Sequence, residues 1–390
     1  MKIMHIQLAG PFTENANYQD NILPKYHARI GNDVFFLGTC YSWKNGKIEI
    51  VSPERKKLQD GIVLERVPFV RIINSYFTEK LRYSTKVYKV IENYNPDMIM
   101  LHDVQSLSDI AICRYLKKHP STKLIVDCHT DFLNSASNWV SRVFLHGILW
   151  KHMALKLNKY AKVFYGTLPA RVDFLKNVYK LPPEKCELLV MGADDELVKE
   201  VLDSDWRGII REKYNVGDDE FLVVTGGKIL SYRKEVLDLI QAVIDLDNPK
   251  IKILFFGLVD DLFLNTFNEL KKNNRFIDAG WISSDITYRY MAAADLIVFP
   301  GLHSVMWEQA VGMGVPCVFR KLDGFDHVDL GGNAVFIDDI SVESIKRTIV
   351  DIYDNKDLYN RMKEVASVEG MKAFSYREIA KKCIDAIEKQ

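Results

Sequence analysis

Residues 291–319 leave this chain few folds to choose from. Residues 296–299 are a short apolar run stopped by Pro300, the pattern of a strand buried on both faces. Gly301, Leu302, His303 and Ser304 have turn composition. Residues 305–313 suit a helix, which Gly314 and Pro316 end in the usual order, and 315–319 resume the sheet. A strand that runs through a polar loop into a helix start is also a place for chemistry. The free backbone N–H groups and the positive end of the helix dipole can meet a phosphate there.

The same alternation runs through the rest of the chain. Strands are expected at 2–9, 33–38, 97–101, 123–127, 162–165 and 186–191, and helices at 18–30, 79–94, 109–118, 141–160 and 169–179. Residues 63–67 and the polar stretch 39–60 give no clear pattern. Leu181, Pro182 and Pro183 break the rhythm, and the mixed polar segment 192–205 is read as the domain junction. A second series follows, with strands at 221–225, 251–256, 276–279 and 335–337 and helices at 234–245, 260–272, 286–294, 341–353, 356–369 and 376–389. Strands alternating with helices at this spacing imply parallel sheets with crossover helices. At 390 residues, two domains are the natural division.

Composition excludes some functions. The formal net charge is zero, which argues against non-specific binding to nucleic acid. The six cysteines are widely spaced with no C-x-x-C, so they read as thiols of a reducing compartment. Residues 1–10 read as a first strand rather than a signal peptide, and no apolar run is long enough to span a membrane. A cytoplasmic protein is expected, with peripheral contact at the inner face of the cell membrane left open.

Polar clusters stand where predicted strands end: Gly10-Pro11, His102-Asp103 and His129-Thr130-Asp131 in the first half, Gly226-Gly227-Lys228 and His303-Ser304 in the second. Open α/β sheets bind ligands at those ends. His129 and His102 are the two histidines at strand ends of the first half. Asp203-Ser204-Asp205 has the D-x-D form but reads as a solvated acidic loop.

Several of these segments together resemble the retaining GT-B glycosyltransferases of family 4, of the bacterial surface-polysaccharide type. The turn Gly227-Lys228-Ile229 with Lys234 six positions on is similar to the family's Gly-Arg-Leu turn and downstream lysine. Ala293-Ala294-Asp295 and Gly314-Val315-Pro316 resemble two further family landmarks, and Phe374-Ser375-Tyr376 resembles its C-terminal crossing segment. The resemblance implies an α/β GT-B fold: two Rossmann-like doubly wound domains facing across a crevice. Residues 1–190 would form the acceptor-side domain, 191–372 the donor domain, and 373–390 a helix packing back on the first domain.

The resemblance also implies an activity, the transfer of a hexose-type sugar from a UDP- or GDP-sugar donor to a glycan or lipid-linked acceptor. No metal or other cofactor is implied, because lysines supply the positive charge. His129 and Lys234 would be catalytic, with His129 orienting the transferring sugar. Gly10, Gly227, Lys228, Arg233, Trp281, His303, Ser304 and Val305 would contact the donor. One of Glu308 and Gln309 would hold the ribose; the two point about 100° apart on a helix. Asp131 and His102 are candidates for the acceptor. Trp281 lines the base pocket or is core.

The chain departs from the family in two places. The first of the family's two glutamates is replaced, with Pro300 or Gly301 in its position, and the double-glycine loop after the first strand gives way to Gly10-Pro11-Phe12. A non-catalytic nucleotide-sugar-binding subunit and a GT-B-like sugar-nucleotide epimerase are therefore the alternatives. Residues 139–160 mix Trp139, Phe144, Leu149 and Trp150 with Arg142, Lys151, Lys156 and Lys159. This suits an interior crossover helix, and also a basic amphipathic helix on an anionic bilayer; the interior reading is favoured.

Overall fold

The computed structural model describes residues 1–44, 47–230 and 234–388. It divides into two compact units, Met1–Met191 with Tyr376–Gln390, and Gly192–Ser375.

The first unit holds the strands β1 (Lys2–Gln7), β2 (Asp33–Thr39), β3 (Tyr41–Lys44), β4 (Lys47–Ile50), β5 (Arg55–Lys57), β6 (Val63–Val67), β7 (Met98–His102), β8 (Lys123–Cys128), β9 (Ala161–Gly166) and β10 (Cys186–Leu188). Eight of them form one sheet in the order β10-β9-β8-β7-β1-β2-β6-β5, parallel except where β5 meets β6. Strands β3 and β4 pair as a separate antiparallel ribbon. Alternate side chains feed two cores. Met4, Ile6, Phe35 and Leu37 pack on one face of the sheet, and Ile3, Val34 and Phe36 on the other. Burial on both faces is why these strands read as continuous apolar runs.

The helix Tyr376–Glu388 belongs to this unit. Its Tyr376, Ile379, Ala380 and Cys383 complete the second core beside Ile22, Leu23 and Tyr26 of the helix Gln19–Arg29. Fully burying a side chain of this kind is worth about 1.5–3 kcal/mol, so this terminal helix is part of the fold.

Three segments differ from expectation. The helix expected at 79–94 is two, Ser75–Leu81 and Val87–Tyr94. Arg82 ends the first in the left-handed region (φ 51°), where its Nη1 donates to Gln105 O at 3.0 Å. No glycine or asparagine marks that stop. The polar stretch 39–60 holds the β3–β4 ribbon and β5. The segment at the junction is helical, Asp195–Leu202 and Trp206–Lys213, each capped by an aspartate, Asp194 and Asp205. Asp203 and Asp205 therefore serve helix ends.

The second unit holds β11 (Phe221–Ile229), β12 (Ile251–Val259), β13 (Phe276–Asp278), β14 (Leu296–Phe299), β15 (Cys317–Arg320) and β16 (Ala334–Ile337). Their order is β13-β12-β11-β14-β15-β16, all parallel. This is the doubly wound order 3-2-1-4-5-6, with its reversal between β11 and β14. Ala193 N donates to Phe374 O at 2.8 Å, and Ala193 bridges to Ser375, so the two ends of the unit lie side by side. Both units are Rossmann-like α/β layers.

Candidate functional site

In the second unit Lys228 and the loop at His303 follow adjacent strands at the reversal point. Lys228 lies exposed at the C-terminal end of β11. Gly227 has φ +129°, and a Cβ there would come within 3.5 Å of Met306 Cε, so this turn abuts the start of the helix Met306–Gly312. Lys234 is exposed at the N-cap of the helix Glu235–Ile244, where it supplies no side-chain cap, and Leu237 N donates to its carbonyl at 2.8 Å. A cation at a helix start is disfavoured by the dipole, so local helix stability does not account for Lys234. Arg233 lies outside the described residues.

The loop after β14 carries His303, Ser304 and Val305. Val305 occupies the N-cap of the next helix with no side-chain cap, and Ser304 O accepts from Trp307 N at 3.0 Å. The Ser304 side chain does not cap this helix. Trp281 follows Gly280 (φ +68°) beyond β13 at the sheet edge and is 66% exposed. It is not core.

The expectation that Glu308 or Gln309 faces the donor is corrected. Glu308 is fully buried and Gln309 is buried beside it. Glu308 Oε1 accepts from His303 Nε2 at 2.9 Å and from His327 Nε2 at 2.8 Å. Burial alone would raise the Glu308 carboxyl, but the two imidazoles outweigh it and bring the pKa down to about 2. The role visible for Glu308 is to tie the loop at His303 to the loop at His327. Glu308 Oε2 and His327 Nδ1 are buried with no partner among the described residues.

In the first unit the reversal point lies between β1 and β7. Gly10, just past β1, lines a cavity of about 220 Å³ with Tyr41, Phe69, Lys80 and Arg82. Tyr41 and Phe69 stack at 5.6 Å. His129, one residue past β8, is about a third exposed, and its Nε2 lies 3.4 Å from Asp127 Oδ2.

The two acceptor candidates are corrected. His102 is completely buried. Asp131 is buried too, paired with Arg171 Nε at 2.9 Å and accepting from the backbone N–H of Leu133 and Asn134. Neither side chain is open to an acceptor in this structure.

Behind His129 lies a row of side chains that the motif search did not assemble. His102 Nδ1 is 3.0 Å from Asp127 Oδ2, His5 Nδ1 is 2.9 Å from His102 Nε2, and His27 Nδ1 is 2.9 Å from His5 Nε2. His27 Nε2 reaches Ala380 O at 3.2 Å. Burial lowers His5 well below the usual imidazole range and His27 to about 4. Burial would lower His102 as well, but Asp127 beside it raises it. For Asp127, burial would raise the carboxyl, and His102 with His129 holds it well below the usual carboxylate range. The sequence signal was a histidine inside two expected elements, His5 and His27, with His102 at the end of an expected strand.

Two of these groups gather metal-type ligand atoms within 4.8 Å of one another: His102 with Asp127 and His129, and His303 with Glu308 and His327. No sequence motif announced either.

The fold is GT-B. No family model and no curated protein matches the sequence. Solved structures match across the whole chain at low identity. The Anabaena protein Alr3699/HepE in complex with UDP and glucose is 14% identical with a TM-score of 0.67, covering 100% of both chains. WaaG, a glycosyltransferase involved in lipopolysaccharide biosynthesis, is 15% identical with a TM-score of 0.69, again over 100% of both. The UDP-GlcNAc 2-epimerase of Neisseria meningitidis bound to UDP-GlcNAc is 10% identical with a TM-score of 0.65, over 100% of both. At these identities the likeness is one of fold.

Proposed function

We propose that this protein is a retaining glycosyltransferase of family 4 type. It moves a hexose-type sugar from a UDP- or GDP-sugar to a surface glycan or lipid-linked acceptor without a metal ion. The observation that carries this reading is the placement of Lys228 and the loop Gly301–Val305 on adjacent strands at the 1–4 reversal of a doubly wound sheet, where such sheets bind nucleotides. Sugar transfer leaves negative charge on the departing diphosphate. Lys228 and Lys234 meet it as point charges, and one well-placed donor of this kind is worth about 2.7–4 kcal/mol in the transition state. The GT-B neighbours that carry UDP support a nucleotide-sugar donor. His129 orients the transferring sugar, and the cavity lined by Tyr41 and Phe69 offers stacked aromatic faces to an acceptor sugar.

Peripheral membrane contact belongs to the same proposal. The π-helix Ser141–Trp150 buries His146 and Trp150, but Trp139, Val140, Phe144 and Ile148 are exposed. The interior reading of this segment is thus only half right. No acidic residue falls between Asp131 and Asp173, while Arg142, Lys151, Lys156 and Lys159 do. An apolar face with basic surroundings suits an anionic bilayer, where a lipid-linked acceptor resides. No described helix is long and apolar enough to cross a membrane.

A sugar-nucleotide epimerase is the second reading, favoured by the epimerase that shares the fold. Thermal unfolding with a nucleotide and nucleotide-sugar panel tests what both share. A ligand at about 100 times its dissociation constant adds ~2.7 kcal/mol of apparent stability. No shift with any nucleotide refutes both. Interconversion of free sugar nucleotides, without release of nucleoside diphosphate, selects the epimerase.

A further inference from the structure

Hydrogen bonds need one proton each, and the buried histidine row can be counted on that basis. It contains four contacts: His27 Nε2 to Ala380 O, His27 Nδ1 to His5 Nε2, His5 Nδ1 to His102 Nε2, and His102 Nδ1 to Asp127 Oδ2. A carbonyl oxygen only accepts, so His27 carries its proton on Nε2. His27 Nδ1 is then the acceptor, and His5 donates from Nε2. By the same step His102 donates from Nε2 to His5 Nδ1. Three neutral imidazoles bring three protons, yet the row has four contacts.

The fourth proton lies between His102 and Asp127. Asp127 Oδ2 also faces His129 Nε2 and the amide of Gln19, both at 3.4 Å. The Gln19 amide can only donate to that oxygen, and the His102 imidazole is raised while the Asp127 carboxyl is held low, which places the proton on His102. The buried pair is then an imidazolium and a carboxylate, and the row behind it is neutral.

We propose that Asp127 and His102 are positioning residues for His129, and that the histidine row holds one stored proton that keeps Asp127 an ionised acceptor. The consequence for His129 is a fixed tautomer. Asp127 takes the Nε2 proton of His129, so Nδ1 is the nitrogen with a lone pair for a substrate hydroxyl. Were Asp127 protonated, it would donate to His129 and reverse that polarity. The charge on His102 is further favoured by Asp20 of the helix Gln19–Arg29 and by Asp103 after β7. Cys383, from the helix Tyr376–Glu388, also feels the charge of Asp127, as do Asp20 and Cys128, and burial keeps Cys383 a thiol. His129 is about a third exposed, whereas His27, His5, His102 and Asp127 are buried.

This inference rests on the reading of His129 as the site histidine, and its test does not. Long-range ¹H–¹⁵N correlation of the wild-type protein reports each imidazole's protonation state. The expected spectrum shows His129 as the Nε2–H tautomer, His5 and His27 neutral with Nε2–H, and His102 doubly protonated at pH 8. His129 in the Nδ1–H form, or three neutral buried histidines at pH 7, overturns the proposal. In Asp127→Asn, His129 is expected to lose its single tautomer; an unchanged His129 spectrum also overturns it. The activity arm follows nucleoside diphosphate release. Asp127→Asn is expected to lower kcat at least tenfold with donor KM within twofold, and Asp127→Glu to recover part of the loss. A matching spectrum without turnover in the wild type upholds the histidine row and counts against the transferase reading alone.

Discussion

Replacing Glu308 by glutamine keeps the shape of a fully buried side chain and removes its charge. In the wild type, two imidazole N–H groups converge on one carboxylate oxygen at 2.9 and 2.8 Å. Hydrogen bonds to charged groups are worth about 1.5–3 kcal/mol against about 0.5–1.5 for neutral ones. Two weakened bonds therefore cost roughly 2–3 kcal/mol. An independent route agrees. A carboxyl lowered from 4.5 to about 2 favours the folded state by about 3 kcal/mol when ionised. Because the folded value is depressed, that stability is fully present above pH 4.5 and is lost as pH falls toward 2. Urea unfolding at a series of pH values is the assay. At pH 7 the variant should be about 3 kcal/mol less stable, with a melting temperature lower by roughly 6–12 °C for a unit of this size. The two proteins should converge as pH falls from 4.5 to 2. A difference under ~1 kcal/mol at pH 7, or one that persists unchanged at pH 2, refutes the reasoning. Glu308→Ala removes the carboxylate that both imidazoles meet and should cost about 3–5 kcal/mol.

Four other variants separate fold from function. Asp131→Ala strands the buried guanidinium of Arg171 and should cost about 3–5 kcal/mol in urea unfolding. Lys234→Ala, at an exposed helix start, should change stability by no more than ~0.5 kcal/mol while abolishing nucleoside diphosphate release. Gly257→Ala places a methyl group 1.8 Å from Gly227 O at φ +149°. It should displace the Gly227 turn, seen as at least tenfold weaker nucleotide binding by calorimetry. Trp139→Ser with Phe144→Ser removes exposed rings, so the melting temperature should stay within about 2 °C, while co-sedimentation with anionic vesicles falls.

The parts legible in sequence were those governed by short-range rules. The strands β1, β7, β8, β11 and β14 show as apolar runs because both of their faces are buried, and the polar residues that end them mark the sheet edge that bears the site. The two units follow from the strand–helix alternation. What escaped depends on distant side chains. Arg82 stops a helix in a left-handed conformation that no glycine announces. The β3–β4 ribbon alternates polar and apolar residues at Lys47, Ile48, Glu49 and Ile50, but all four are exposed, so the short pattern marks no core face. His5, His27, His102 and Asp127 come from four separate elements, and each alone looks like an odd polar residue in a core segment. His327 meets Glu308 from a loop that carries no motif. The reading of Glu308 as a ribose ligand failed for the same reason: helix spacing shows which way a carboxylate points, but not what covers it.

In the proposed function, Lys228 and Lys234 receive the diphosphate of a nucleotide sugar at the β11–β14 reversal. The most direct measurement is nucleoside diphosphate release by purified protein from a panel of UDP- and GDP-sugars, with and without Lys234→Ala and with a chelator present throughout. The account predicts release from at least one donor, undiminished by the chelator and lost in the variant while the melting temperature holds. Release that survives in Lys234→Ala, or that needs an added metal ion, contradicts it.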